Sequence, residues 1–147
     1  MANSRATATW EGSLAQGHGS VAAGSGAFGP VSLTWAARTE RAEGIRMTSP
    51  EELLAAAHAG CYCMALSHEL SQRGTPPSRL SATAVVAFEQ VAGGWKVTTS
   101  RISVTGVVPG LSQDGFSEAA NAAAKGCPVS KALAGVEIIL ESAKLEG

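Results

Sequence analysis

Three cysteines give this chain its capacity for unusual chemistry. Cys61 and Cys63 lie in one alanine-rich stretch, and Cys127 comes much later in the chain. Only the thiolate of cysteine is a strong nucleophile or a metal ligand, and a free thiol with a pKa of about 8.5 is mostly protonated at neutral pH. A reactive cysteine here therefore needs a cation or oriented hydrogen-bond donors beside it. Otherwise such cysteines are buried apolar residues or metal ligands.

The spacing of the residues around Cys61 separates some of these alternatives. His58 lies one helical turn before Cys61 on the same face, where it could act as a base or as a structural hydrogen-bonding residue. Cys63 lies roughly 200° around a helix from Cys61, so the two sulfurs point apart. Cys63 is therefore interpreted as a packing residue. A metal site that uses Cys61, Cys63, His58 or His68 stays open at this point.

A long helix is expected to carry these residues. Ser49 is a good N-cap, Pro50 suits the first helical position, and Glu52 completes a capping box with Ser49. The helical composition runs through residues 53–70 and ends at a Gly-Thr-Pro-Pro turn. Most of its side chains are small and no face is strongly polar, which indicates burial, in part by a partner subunit.

Before this helix, the sequence predicts three short strands followed by a polar loop. The strands cover residues 5–10 and 19–23 and a third segment in which Val31, Leu33 and Trp35 repeat with period two. The loop runs over residues 39–48.

After the long helix, β-rich and helical stretches follow one another. They comprise strands at 80–91 and 95–108, a helix at 114–125, a short helix at 127–133 and a strand at 136–144. Gly93-Gly94 predicts a two-residue hairpin turn of the primed type. Cys127 precedes Pro128 and is the predicted N-cap of the short helix, where the helix dipole favours a thiolate. The order βββαββαβ indicates the α+β class.

Composition limits the kinds of partner. A length of 147 residues favours a single domain, 1–147. Eleven basic and twelve acidic residues give a net charge of −1 without a basic stripe, which argues against nucleic acid. No apolar run approaches the roughly 20 residues of a membrane span. The first eleven residues lack the layout of a secretory signal, so a cytoplasmic location is expected.

Two strings carry a family resemblance: SPEELLAAAHAGCYCMAL at 49–66 and KGCPVSKAL at 125–133. With the βββαββαβ order, they resemble the family of osmotically induced protein C and the organic hydroperoxide resistance proteins (OsmC/Ohr). The Ala-Ala-His-Ala string around His58 is similar to the OsmC branch. The resemblance implies antiparallel sheets packed around a long central helix, in an intertwined homodimer that responds to oxidative or osmotic stress.

For the cysteines, the resemblance implies a peroxidase that reduces organic hydroperoxides to alcohols without a metal or cofactor. Cys61 is the implied peroxidatic residue, which attacks the peroxide and becomes a sulfenic acid. Cys127 is the implied resolving residue, which forms a disulfide with Cys61. An external dithiol then reopens this disulfide by exchange, as a lipoylated protein does for Ohr-type relatives. Apolar surroundings favour alkyl or fatty-acyl peroxides over hydrogen peroxide.

The resemblance also implies a charged pair beside the reactive thiol. Arg38 matches the family arginine whose fixed charge would stabilise the thiolate, although Arg41 and Arg46 lie in the same region. Glu51 matches the glutamate that orients this arginine by bidentate hydrogen bonds. Glu52 is assigned to the helix cap instead.

A dimer would reconcile helix geometry with the shared thiol, arginine and glutamate site that the resemblance implies. Glu51 and Cys61 are ten residues apart on one helix, and the helical rise separates them by roughly 15 Å, beyond the reach of a glutamate. Two antiparallel copies of this helix across a two-fold axis would bring Glu51 of one chain near Cys61 of the other. The main rival is a non-catalytic protein of the same fold that binds a small molecule or a partner in a stress response.

Overall fold

The computed structural model describes residues 1–41, 44 and 46–147. Two compact units make up the chain, Met1–Leu53 and Leu54–Gly147. Three positions of the predicted polar loop, 42, 43 and 45, lie outside the described residues. The single domain 1–147 stays a prediction. No helix in the described part of the chain is long and apolar enough to cross a membrane.

The first unit contains a three-stranded antiparallel sheet. Its strands are β1 (Ala6–Glu11), β2 (His18–Ala23) and β3 (Val31–Leu33), in the order β1-β2-β3. The prediction that the third strand extends to Trp35 is wrong. Thr34 ends the strand, because its hydroxyl oxygen accepts a 3.0 Å hydrogen bond from the Ala37 amide and caps a short helix, α1 (Trp35–Thr39). Arg38 therefore lies in the last turn of this helix.

The long helix, α2, covers Pro50–Gln72 and begins where the sequence predicts. The Ser49 hydroxyl oxygen accepts a 3.1 Å hydrogen bond from the Glu52 amide, which confirms the N-cap. The Glu52 carboxylate does not return the bond to Ser49; it accepts a 2.9 Å hydrogen bond from the Thr48 hydroxyl instead. The helix ends before Gly74, whose φ of 79° suits a residue without a Cβ.

The second unit contains a mixed sheet of three strands, β4 (Arg79–Val91), β5 (Gly94–Val107) and β6 (Glu137–Leu145), in the order β4-β5-β6. The β4–β5 pair is antiparallel, as predicted, but β6 runs parallel to β5. Purely antiparallel sheets are therefore the wrong expectation. A parallel pair needs a long crossover, and α3 (Gln113–Gly126) with α4 (Pro128–Ala132) supplies it.

The hairpin between β4 and β5 turns one residue earlier than predicted. Val91 pairs with Gly94, so the two turn residues are Ala92 and Gly93. Among the described residues no non-glycine has a positive φ, and Gly93 has a φ of 101°. A primed turn requires a positive φ at its first central residue, so this turn is unprimed, with glycine at the second position.

The core of the second unit forms where α2 and α3 pack on β5. Large side chains of α2 point inward at every fourth position, and small residues of α3 allow the helix to approach. The buried cluster comprises Tyr62, Leu66, Leu70, Ile102, Val104, Val108, Phe116, Ala119, Ala120, Ala123 and Cys127. The α+β class and the βββαββαβ order are confirmed, with α1 as an unpredicted addition.

Candidate active site

A bidentate ion pair joins the last turn of α1 to the first turn of α2. Arg38 Nη2 donates to Glu51 Oε1 at 2.8 Å, and Arg38 Nε lies 3.1 and 3.2 Å from the two carboxylate oxygens. The Glu51 side chain is only 7% exposed and that of Arg38 30%. The guanidinium carbon also lies 5.7 Å from the centre of the Trp35 ring. The Arg38 guanidinium is therefore contacted both by the Glu51 carboxylate and by the Trp35 ring.

The neighbouring arginines have different surroundings. Arg41 pairs with Glu52, and this pair is far more exposed, at 42% and 52% of the two side chains. Arg46 is exposed. Arg38 is thus the arginine that Glu51 orients, while Glu52 serves the helix start and Arg41.

Cys61 of α2 and Cys127 at the start of α4 are direct neighbours. Both are free thiols, and each lies close enough to the other to shift its pKa. Gly126 ends α3, and the Cys127 amide donates to the Ala123 carbonyl at 2.9 Å, which fixes Cys127 at the junction of α3 and α4. Cys127 is fully buried, whereas Cys61 is partly exposed. The fold therefore brings together two thiols of unequal accessibility.

The two thiols also differ in acidity. Burial, the largest cause, raises the pKa of Cys61, and the contact with Cys127 raises it further. Burial alone would raise the pKa of Cys127 as well, but hydrogen bonds from the Ser130 backbone, the Cys61 side chain and the Ser130 side chain lower it below the ordinary value. The predicted N-cap position of Cys127 is confirmed, although its sulfur forms no capping bond of standard geometry.

A cavity of about 460 Å³ opens beside Cys61. Its walls come from α2, the end of α3 and the start of α4, and they are mostly apolar, with His68 and Glu69 as the polar members. The lining residues are Cys61, Met64, Ala65, His68, Glu69, Ala122, Ala123, Gly126 and Pro128. Small molecules in this cavity would reach the Cys61 sulfur, whereas Cys127 does not line it.

Cys63 and His58 occupy separate surroundings. Cys63 interacts with the Ala82 backbone of β4, and burial raises its thiol pKa. His58 Nδ1 lies 2.7 Å from Ser100 Oγ, and its Nε2 lies 2.8 Å from Ser130 Oγ. His58 thus has the structural hydrogen-bonding contacts that were one of its two expected roles. Within the described residues, no three His, Cys, Asp or Glu side chains are grouped to hold a metal ion.

Ser100 and Ser130, the hydrogen-bond partners of His58, were not among the predicted site residues. Ser130 lies three residues after Cys127 in the same short string, and this spacing, one turn of a helix, could have indicated a contact with the cysteine. Ser100 lies in a strand among other small polar residues. Only the tertiary fold brings it to His58.

The fold thus places one accessible and one buried free cysteine next to each other, with the accessible one lining a mostly apolar cavity. A family model described as OsmC-like protein matches residues 43–141. The chain is 36% identical over 126 residues to the peroxiredoxin OsmC of Escherichia coli (strain K12), with 86% of each chain covered. The protein of the same name from Shigella flexneri matches equally. This chain belongs to the OsmC-like family.

Solved structures give the same result for the fold. An organic hydroperoxide resistance protein from Elizabethkingia anophelis has a TM-score of 0.76 at 22% identity, with 99% of this chain and 98% of that chain covered. The organic hydroperoxide resistance protein OhrB of Bacillus subtilis has a TM-score of 0.70 at 26% identity, with coverages of 94% and 97%. Together with the curated relatives, they support a peroxidase-type oxidoreductase role for the chain.

Proposed function

We propose that this protein reduces organic hydroperoxides to alcohols, with Cys61 as the attacking thiolate and Cys127 as the resolving thiol. The observation that carries the proposal is the contact between the two free thiols, one facing an apolar cavity and the other buried. The relatives named for peroxide reduction or hydroperoxide resistance support the same reaction.

Access decides which cysteine attacks. Cys127 is the more acidic thiol, but its sulfur is fully buried, so a peroxide oxygen cannot contact it. Cys61 is accessible from the cavity, but its thiol needs a cation to counter the raised pKa. Arg38, held by Glu51, is the cation in this proposal, since a guanidinium keeps its charge at any physiological pH.

The reaction balances over two cysteines and one external dithiol. The Cys61 thiolate attacks the distal oxygen of ROOH; the O–O bond breaks, ROH leaves after protonation, and Cys61 becomes a sulfenic acid. Cys127 then attacks the sulfenic sulfur, forming the disulfide and releasing water. A dithiol reduces this disulfide and is itself oxidised to a cyclic disulfide. By family resemblance, a lipoyl group on a carrier protein is the proposed reductant, and a cytoplasmic location is part of the proposal.

The cavity walls favour organic peroxides over hydrogen peroxide. Met64, Ala65, Ala122, Ala123 and Pro128 offer apolar contacts beside Cys61. Burial of a hydrocarbon group is worth about 0.8 kcal/mol per CH₂, a gain that hydrogen peroxide lacks. Alkyl or fatty-acyl hydroperoxides are therefore the proposed substrates.

The complete site needs a second copy of the chain. Glu51 and Cys61 lie ten residues apart on α2, which is roughly 15 Å along its axis. One face of this helix is exposed in the single chain, at Ala56, Gly60 and Met64, and Met64 is 70% exposed. An antiparallel copy of α2 across a two-fold axis would cover this face. It would also bring the Arg38–Glu51 pair of one chain to Cys61 of the other.

Three variants, each with one cysteine replaced by serine, test the proposal. Their oxidation by cumene hydroperoxide is followed in a stopped-flow instrument. Cys61→Ser should abolish peroxide consumption. Cys127→Ser should consume one equivalent of peroxide rapidly, to the sulfenic acid, and a second equivalent more slowly, to the sulfinic acid, because nothing traps the sulfenate. Cys63→Ser is the matched control and should keep full activity.

Thiol counting and peptide mapping complete the test. One equivalent of cumene hydroperoxide should leave Cys63 as the single free thiol, with Cys61 joined to Cys127. The organic peroxide should react faster than hydrogen peroxide. A Cys61–Cys63 bridge would contradict the mechanism, and three intact thiols would favour a non-catalytic protein that binds an apolar molecule in the cavity.

A further inference from the structure

A buried chain of polar side chains leads from β5 through α2 to the Cys127 sulfur. Ser100, His58 and Ser130 are 0%, 0% and 8% exposed, and the two serine hydroxyls bind the two ring nitrogens of His58 at 2.7 and 2.8 Å. At its end, Ser130 lies one helical turn after Cys127 at the start of α4, and its side chain is one of the groups that lower the pKa of Cys127. Three elements thus converge on a residue that the peroxide itself does not reach.

The direction of the hydrogen bonds follows from the charge of the ring. Burial lowers the pKa of His58, so the imidazole is neutral and has one N–H donor and one acceptor nitrogen. When the Ser130 hydroxyl donates to the Cys127 sulfur, its oxygen is left to accept from His58 Nε2–H. Nδ1 is then the acceptor of a hydrogen bond donated by the Ser100 hydroxyl. The side-chain polar groups of Ser100, His58 and Ser130 all have hydrogen-bond partners in this arrangement.

We propose that His58 and Ser130 are positioning residues for Cys127, which hold a hydrogen-bond donor on its sulfur and so promote its attack on oxidised Cys61. This inference rests on the proposed peroxidase cycle. In that step the S–S bond forms, the S–O bond of the sulfenic acid breaks, and the Cys127 proton leaves with the hydroxyl group as water. A donor on the sulfur stabilises the attacking thiolate, the reactive form.

The other titratable neighbours of Cys127 do not supply this donor. Cys61 is the reaction partner and loses its proton in the first half of the cycle. Tyr62 lies near Cys127, but its hydroxyl donates to the Ala120 carbonyl at 2.9 Å, and burial raises its pKa, so it stays neutral. The Ser130 hydroxyl is the side-chain donor that remains once Cys61 is oxidised.

The first test measures the ionisation of Cys127 alone and needs no peroxide. In a Cys61→Ser/Cys63→Ser background, thiolate ultraviolet absorbance against pH gives the Cys127 midpoint. Ser130→Ala should raise this midpoint by about one pH unit, and Ser130→Thr, which keeps the hydroxyl, should restore it. His58→Gln is a second variant. It should raise the Cys127 midpoint less than Ser130→Ala does, because the glutamine amide N–H replaces part of the hydrogen bonding of the imidazole.

Ser71→Ala is the matched control, since this exposed serine of α2 bonds only within its own helix. It should leave the midpoint unchanged. Circular dichroism establishes that each variant is folded. An unchanged midpoint in folded Ser130→Ala and His58→Gln overturns the inference.

The second test uses the native cysteines. Ser130→Ala should oxidise Cys61 at the wild-type rate but form the disulfide several-fold more slowly, with more sulfinic acid at Cys61 by mass spectrometry. A shifted midpoint without slower disulfide formation overturns the inference even if the peroxidase cycle holds. Failure of the wild type to consume peroxide would instead refute the proposed function, and the wild-type reaction reveals this separately.

Discussion

Two adjacent glutamates at the start of α2 differ sharply in their surroundings. Glu51 is buried and holds Arg38 in a bidentate pair, whereas Glu52 is half exposed and pairs with Arg41. Exposed pairs contribute about 0–1 kcal/mol to stability because solvent screens them. A buried carboxylate that fixes a guanidinium has more effect, since the position of the charge depends on it. The two side chains therefore form a natural matched pair for mutation.

Glu51→Gln should lower peroxidase activity much more than Glu52→Gln. The amide keeps the size of the side chain but removes the charge that aligns the Arg38 guanidinium. Misplacement of a positioning group by about 1 Å can cost on the order of 10²-fold in rate, and we expect a loss of this order for Glu51→Gln. Steady-state rates with cumene hydroperoxide provide the measurement. Equal rates for the two variants would show that the Arg38–Glu51 pair has no role in the reaction.

The buried His58 should make the protein sensitive to acid. Burial lowers its folded-state pKa below the ordinary value of 6.5, so the unfolded chain binds an extra proton between those two values. Stability present above pH 6.5 is then lost as the pH falls toward the folded pKa, with a slope of at most about 1.4 kcal/mol per pH unit.

Urea unfolding at pH 7.5 and pH 5.5 checks this prediction. The decrease in the free energy of unfolding from pH 7.5 to pH 5.5 should be smaller in His58→Gln than in the wild type. His68→Gln, an exposed histidine on the same helix, is the control and should behave like the wild type. The same pH dependence in all three proteins would show that His58 does not cause it.

At the scale of elements, α3 packs closely on β5 at a glycine. A Cβ added to Gly106 would lie 2.8 Å from the Phe116 ring and 2.9 Å from Leu80 Cδ2. Phe116 is fully buried, so its ring has little room to move. The absence of a side chain at this position allows the crossover helix to lie against the sheet.

Gly106→Ala should therefore destabilise the protein by about 1–3 kcal/mol through overpacking. Gly135→Ala is the control, because a Cβ there meets nothing within 4 Å and its φ is not positive. Urea unfolding of both variants measures the difference. Equal stability would mean that Phe116 and Leu80 adjust to the added methyl group at no cost.

The sequence predicted most strongly those elements whose determinants are local. The start of α2 was predictable because Ser49 and Pro50 act within one turn. Trp35 continued a period-two pattern, but the Thr34 cap outweighed it in forming α1. The parallel direction of β6 depends on the crossover path, which no short pattern specifies. The site follows the same division: motifs identified the cysteines and the ion pair, while Ser100 meets His58 only through the fold.

At the scale of the whole molecule, α2 presents an exposed face of small residues and one large apolar side chain. Gly60 and Met64 lie one turn apart on it, and among the described residues no atom outside this helix lies within 4 Å of a Cβ added to Gly60. Small residues let helices approach closely, and the Met64 side chain beside them is 70% exposed. In the proposed dimer, a second copy of α2 would cover this face and would bring the Arg38–Glu51 pair to Cys61.

Subunit complementation tests this dimer directly. Arg38 and Glu51 are paired within one chain, so they should reach the partner's thiol together. Glu51→Ala and Cys61→Ser homodimers should both have little activity. In a heterodimer, one site combines the intact pair of the Cys61→Ser chain with the intact Cys61 of the other, so mixing under subunit exchange should restore about half of wild-type activity per heterodimer.

The matched control for complementation mixes Cys61→Ser with Cys127→Ser. These two thiols are neighbours within one chain, so no chain of the heterodimer carries both Cys61 and Cys127. Turnover should therefore stay at the level of the separate variants. Mass spectrometry of isotopically labelled chains measures the extent of exchange. Proven exchange without recovery in the Glu51→Ala mixture, or a sedimentation mass equal to one 14.8 kDa chain, would contradict a site shared between subunits.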